Sequence, residues 1–136
     1  MGPFFCSRAA KAAMESSGGG DIVMTSSVAG LIGTGSSIPY CASKAGLNNL
    51  VVTLARVMGP QIRVNAVAPG FIDGEWLQQG LGEAYDTIKS VVEGKSPLAR
   101  VVTPDDVADA ILSLVQGSDL VTGHVLPIEA GMLIGQ

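Results

Sequence analysis

Three runs of apolar, largely β-branched residues, 21–25 (DIVMT), 62–68 (IRVNAVA) and 121–128 (VTGHVLPI), constrain the fold more than any other feature of the chain. The stretches between them are too long for hairpins. Antiparallel neighbours can be joined by a two-residue turn, whereas parallel neighbours need a crossover of about a dozen residues or more, usually through a helix. Continuously apolar runs of this kind suit strands buried on both faces. The expectation is an α/β fold, a parallel sheet covered by helices. Three strands are few for such a sheet, and a three-stranded piece leaves a strand edge open.

The connecting segments carry helical periodicity. Residues 3–16 put Phe4, Phe5, Ala9, Ala12 and Ala13 at helical spacing behind Pro3, which a helix start tolerates, and 16–20 (SSGGG) end the pattern. Residues 27–39, rich in Gly and Ser and containing Pro39, read as a loop. Residues 40–58 read as one long helix, about 28 Å if fully helical. Its apolar positions are Ala45, Leu47, Leu50, Val51, Leu54, Val57 and Met58, and Gly59-Pro60 stops it. Pro69-Gly70 closes the second strand. The mixed segment 71–102 has short helices expected at 75–81 and 83–92. Thr103-Pro104-Asp105-Asp106 is a strong helix start, with a capping hydroxyl, a proline at the first position and two carboxylates at the positive end of the dipole. That helix is expected to run to 115 or 116, ahead of a third strand interrupted by Gly123.

Composition narrows the function classes. At 136 residues the chain is the size of one domain; with 47% hydrophobic residues, 15% charged residues and a net charge of −4 it is not a disordered chain. Eight Lys and Arg against twelve Asp and Glu, with no long run of like charge, argue against a nucleic-acid surface. Apolar stretches are broken well short of the roughly 18 residues of a membrane span, and the N-terminus lacks the order of a signal peptide. Cys6 and Cys41 stand apart, so neither a disulfide framework nor a metal site is read, and both are expected to be small buried hydrophobes. A soluble protein of the reducing cytoplasm follows.

Chemistry concentrates between 21 and 46. Ser27 lies just past the first strand, where parallel α/β sheets present their ligand-binding loops. Tyr40 and Lys44 are four residues apart at the start of the long helix, one turn apart on one face. A free tyrosine titrates near pH ~10, so ionising one at neutral pH costs about 4 kcal/mol. A fixed cation nearby offsets part of that cost, giving a proton donor and acceptor suited to carbonyl and alcohol chemistry. Ser27 can add a hydrogen bond to a substrate oxygen as its charge changes. By itself, a Tyr–Lys pair is equally what a solvated helix face displays.

Ser27, Tyr40 thirteen residues later and Lys44 in Tyr40-Cys41-Ala42-Ser43-Lys44 resemble the Ser…YxxxK signature of the short-chain dehydrogenases/reductases. Residues 21–30 (DIVMTSSVAG) resemble the strand leading to that family's active serine, 63–72 (RVNAVAPGFI) its strand and PG motif, and 122–126 (TGHVL) its final strand. The resemblance covers essentially the whole chain. It implies a Rossmann-like three-layer α/β/α fold, of which residues 1–136 would be a single partial domain holding the last three strands and their flanking helices. It implies hydride transfer between NAD or NADP and a small-molecule carbonyl or alcohol. Tyr40 would exchange the proton; Lys44 would lower the tyrosine's pKa and hold the nicotinamide ribose; Ser27 would orient the substrate oxygen. Pro69, Gly70 and Ile72 would border the nicotinamide, with the backbone of Ile72 in contact. Residues 74–95 would cover the substrate. Helices 3–16 and 40–58 would meet their counterparts in a homo-oligomer.

The departures from the family pattern are as informative. The TGxxxGxG cofactor loop, the residue selecting NAD or NADP and the NNAG strand have no counterpart. Gly33-Thr34-Gly35 does not replace the loop, because it lies between Ser27 and Tyr40 and lacks the third spaced glycine. The family's helix Asn would fall just before Met1, and Gly74 stands where many members have Thr. The chain is therefore expected to be a C-terminal fragment or a reading frame started at an internal methionine. A second reading is a non-catalytic fragment serving as an oligomerisation or interaction module. A third, a serine hydrolase, would depend on His124, the only histidine, and no GxSxG elbow exists. Asp105 and Asp106 are explained by the helix start, Arg100 by an exposed or ion-paired position, and Trp76 and Tyr85 by local packing or substrate contact.

Overall fold

The computed structural model describes residues 1–135. Its sheet has the order β1 (Gly20–Thr25), β2 (Ile62–Pro69), β3 (Val125–Ile128), and both pairings are parallel, with Thr25 opposite Val67 and Ala66 opposite Val125. Helix α1 (Gly2–Ser16) precedes β1. A short turn of helix, α2 (Ala29–Ile32), and the long α3 (Ile38–Met58) cross from β1 to β2. The return to β3 carries α4 (Glu75–Leu81), a 3-10 turn (Gly82–Ala84), α5 (Tyr85–Lys95) and α6 (Pro104–Gln116).

Strand periodicity divides the side chains of β1 and β2 between two layers. Ile22 and Met24 of β1 and Ile62, Val64 and Ala66 of β2 face α1 and α3, where Val51, Leu54, Ala55 and Met58 complete the larger core. Val23 and Val67 point the other way, against Val107, Ala110, Ile111 and Leu114 of α6. Every residue of β2 except Arg63 is buried. This is the three-layer α/β/α arrangement expected. Burial of each such aliphatic side chain stabilises by about 1.5–3 kcal/mol.

Both ends of α6 are closed by side chains. At its start Thr103 Oγ1 accepts from the Asp106 amide at 3.2 Å while Asp106 Oδ2 accepts from the Thr103 amide at 2.8 Å, a capping box. Arg100 grips both oxygens of Asp106, at 2.9 and 3.1 Å, an ion pair in keeping with the expectation for it. Asp106 is thereby held at a pKa of about 2, chiefly by Arg100 and then by the Thr103 amide and hydroxyl. At the other end Arg63 of β2 donates to the carbonyls of Leu114 (3.0 Å) and Val115 (3.1 Å), satisfying groups that the helix leaves unpaired. Asp21 of β1 pairs with Arg63 at 2.9 Å.

Several expectations are corrected. Residues 27–39 are not all loop: α2 lies inside them, and Pro39 belongs to the first turn of α3, begun at Ser37, whose hydroxyl accepts from the Tyr40 amide at 3.3 Å. Proline at a first turn loses no hydrogen bond, so it reads as a helix start as well as a breaker. The third strand begins at Val125, because Gly123 has φ +75°, which breaks the extended run. Residues 121–124 are still fastened to β2: the Gly123 amide donates to Val64 O at 2.8 Å, the Val64 amide to Thr122 Oγ1 at 3.0 Å, and buried Asn65 bonds Val121 O and the His124 amide. Helix α1 forms over the expected residues; Ser7 is its only buried residue, Phe4 and Met14 pack against the larger core, and Phe5, Ala9, Ala12 and Ala13 are exposed. Cys6 is exposed and Cys41 half-buried, both free thiols, so neither is a core residue. Among the described residues no helix is long and apolar enough to cross a membrane.

Candidate active site

Parallel strands place their following loops at one end of the sheet, and the hydrogen bonds draw those loops together. The Ser26 amide donates to Val67 O at 2.7 Å and the Val28 amide to Pro69 O at 3.1 Å, so the turn bearing Ser27 is stitched to the Pro69-Gly70 turn. The Gly70 amide donates in turn to Ile128 O at 2.9 Å. Ser27 is buried, and its Oγ accepts from the Ala29 amide at 3.2 Å, which starts α2. The hydroxyl proton remains free to donate.

Lys44 joins α3 to the same sheet end. Its Nζ donates to Thr25 O, the last residue of β1, at 2.9 Å, and lies 5.7 Å from the centroid of the Tyr40 ring. Tyr40 is 36% exposed. The structure thus brings Tyr40 and Lys44 together, with the Lys44 ammonium bonded to Thr25, two residues before Ser27. Close packing fixes this helix: a Cβ on Gly30 would lie 2.6 Å from the Lys44 carbonyl carbon, so α2 presses directly on the backbone of α3.

One residue of this assembly went unread in the sequence. Asn48 bonds the Ser26 hydroxyl through Oδ1 and donates to Gly30 O at 3.1 Å through Nδ2, holding the loop on either side of Ser27. The available signal was its spacing, since Tyr40, Lys44 and Asn48 form one row at four-residue intervals along the helix.

Beyond Gly70 the chain makes an isolated parallel bridge between Ile72 and Val102. The Asp73 amide donates to Val102 O at 2.7 Å and the Val102 amide to Phe71 O at 3.1 Å. In that pattern the N–H and C=O of Ile72 itself point away from Val102. Asp73 receives hydrogen bonds from Lys89 Nζ (2.6 Å), Gln78 Nε2 (3.3 Å) and the hydroxyl of buried Tyr85. Lys89 and then Tyr85 hold the Asp73 carboxyl below its ordinary value, and Asp73 raises both partners. Tyr85 is buried, and Trp76 is 84% exposed. A groove of about 590 Å³ between the start of α1 and the first half of α3 shares only Lys44 with this set. His124 is exposed, with its amide on Asn65, and no acid partner is among its hydrogen bonds.

Comparison with known proteins places this geometry. A family model described as enoyl-(acyl carrier protein) reductase matches residues 1–133. The short-chain dehydrogenase/reductase homolog YusR of Bacillus subtilis is 38% identical over 133 residues, 98% of each chain. ElxO, solved with NADP bound, is 33% identical with a TM-score of 0.85 over 98% of this chain and 54% of its own. A 7α-hydroxysteroid dehydrogenase, solved with NADH and 7-oxo glycochenodeoxycholic acid, is 30% identical with a TM-score of 0.86 over 95% of this chain and 50% of its own. The chain belongs to the short-chain dehydrogenase/reductase family. YusR apart, it spans about half the length of the curated relatives it matches, with shares of 45%, 50% and 46% in three of them.

The groups present fit one end of a nicotinamide dinucleotide. Beyond its bond to Thr25, the Lys44 ammonium has two further donors for a ribose, and Ile72 offers a backbone donor and acceptor of the kind a carboxamide requires. Gly33-Thr34-Gly35 does not serve the phosphate end: Gly33 is the left-handed cap that ends α2, at φ +71°.

Proposed function

We propose that the chain is the catalytic portion of an NAD- or NADP-dependent oxidoreductase that interconverts a small-molecule carbonyl and an alcohol, with Ser27, Tyr40 and Lys44 as its catalytic residues. The observation that carries this reading is the fastening of Lys44 to the end of β1 while its ammonium faces the Tyr40 ring. The bound nicotinamide supplies or accepts the hydride. Tyr40 gives a proton to the substrate oxygen during reduction and takes it back during oxidation. Lys44 is the counter-charge to the negative charge that develops on the phenol oxygen, and its spare donors hold the ribose. Ser27, whose Oγ is fixed by the Ala29 amide, donates its hydroxyl proton to the same substrate oxygen. Pro69 and Gly70 would form the wall beside the nicotinamide, and the Ile72 backbone would hold its carboxamide. Two free thiols accord with a reducing cytoplasm.

Titration of the purified chain with NADH and NADPH, by nicotinamide fluorescence and calorimetry, tests the reading. Saturable binding of at least one cofactor is expected, weakened about tenfold in Lys44→Met through loss of charge-assisted hydrogen bonds. Absence of saturable binding to either would overturn it for this chain and favour an oligomerisation or interaction module. That second reading is supported by the free edge of β1, which pairs only with β2, and by exposed Phe5 (47%) on α1 and Val57 (67%) on α3. It predicts an assembly through helices 3–16 and 40–58, and a monomer in light scattering would contradict that assembly.

A further inference from the structure

The segment of α4 and α5 leaves the sheet end at Asp73 with little apolar burial, Leu77, Leu81 and Val92 being only half-buried. Tyr85 is the only buried residue of the two helices, while Trp76, Ile88 and Val91 are exposed. The helices pack on each other through the 3-10 turn, and no strand is among their main neighbours. Polar side chains replace a core. The Asp73 carboxylate gathers Gln78 from α4 and Tyr85 and Lys89 from α5, and the Tyr85 ring meets Phe71 at 5.6 Å between centroids. The Asp73 backbone is fixed in the bridge to Val102, so these bonds anchor the helices to the paired segment that follows β2 and not merely to one another. Nor does Asp73 serve as the cap of α4. That position is Gly74, which makes no side-chain cap, and the carboxylate is turned to α5 instead.

We propose that Asp73 is a positioning residue whose carboxylate latches the α4–α5 cover to the turn after β2. This rests on the reading of Pro69, Gly70 and Ile72 as the nicotinamide wall, and deepens it by naming the group that sets the cover against that wall. Asp73 acts through Tyr85 and Lys89 and touches no reacting atom. The ammonium and carboxylate neutralise each other, and charge-assisted bonds of this kind outweigh neutral ones.

Hydrogen exchange read by mass spectrometry on the whole chain, without cofactor, tests the latch. In Asp73→Ala, amide exchange across 75–95 should rise about tenfold or more, while β2, α3 and α6 keep the parent's protection. Lys89→Met should act in the same direction and Lys89→Arg, which keeps the cation, should stay near the parent. Exchange in 75–95 unchanged in Asp73→Ala and Lys89→Met, or raised by the same factor in β2 and α3, would overturn the proposal, as would Lys89→Arg behaving like Lys89→Met. If Asp73→Ala fails to fold, the Lys89 pair decides, since Lys89 is partly exposed. Failure of cofactor binding would defeat the oxidoreductase reading and leave this result standing.

Discussion

Strand β2 and the α4–α5 cover are separated by five residues and are held by different forces. In β2 every side chain but Arg63 is buried, packed on one face by α3 and on the other by α6. In the cover a single side chain, Tyr85, is buried, and the helices are tied down by hydrogen bonds to one carboxylate. The contrast separates two jobs. The strand end that carries Pro69, Gly70 and Ile72 is over-determined by packing, as a site needing fixed geometry requires. The cover is fastened by a few polar bonds that open at lower cost than a core, and under the proposed function this would suit a segment that admits substrate.

The sharpest way to break this contrast is to cut into the core of β2. Ile62→Ala removes a fully buried side chain and should destabilise by about 2–5 kcal/mol in denaturant melts. Asn65→Ala should cost about 1–3 kcal/mol, because Val121 O and the His124 amide then lose their buried partner. A smaller effect is expected at the start of α6. The Asp106 carboxyl is depressed to about 2 from an ordinary 3.8, so its contribution is complete above 3.8 and is lost as pH falls toward 2. The thermal midpoint of the parent should therefore drop across that window more steeply than that of Asp106→Asn. Least of all, Trp76→Ala in the cover should change stability by no more than about 0.5 kcal/mol. A Trp76→Ala cost equal to that of Ile62→Ala would erase the distinction between the two regions.

Much of the core was legible because its local patterns are strong. The continuous apolar run 62–68 marks a strand buried on both faces, and Thr103-Pro104-Asp105-Asp106 marks a helix start through side-chain chemistry alone. The pairing of Tyr40 with Lys44 follows from helical spacing. Other features depend on contacts distant in sequence. Asn48 serves a loop eighteen residues earlier, and Arg63 closes a helix some fifty residues later; neither partner can be read from local pattern. Asp73 looked like part of an irregular stretch because its partners lie five to sixteen residues on. The spacing that marked α1 as a helix left its burial open for a different reason. Alanines and phenylalanines at helical spacing define an apolar face without saying whether anything in the same chain covers it.

The central claim is that Tyr40 exchanges the proton at the substrate oxygen. It is tested most directly by comparing the parent with Tyr40→Phe, which removes one hydroxyl from a half-exposed ring, across a panel of ketones and 3-oxoacyl thioesters with NADH and NADPH. Turnover on at least one substrate is expected, reduced at least about 100-fold in Tyr40→Phe, with unchanged thermal unfolding. Turnover in Tyr40→Phe equal to that of the parent would contradict it.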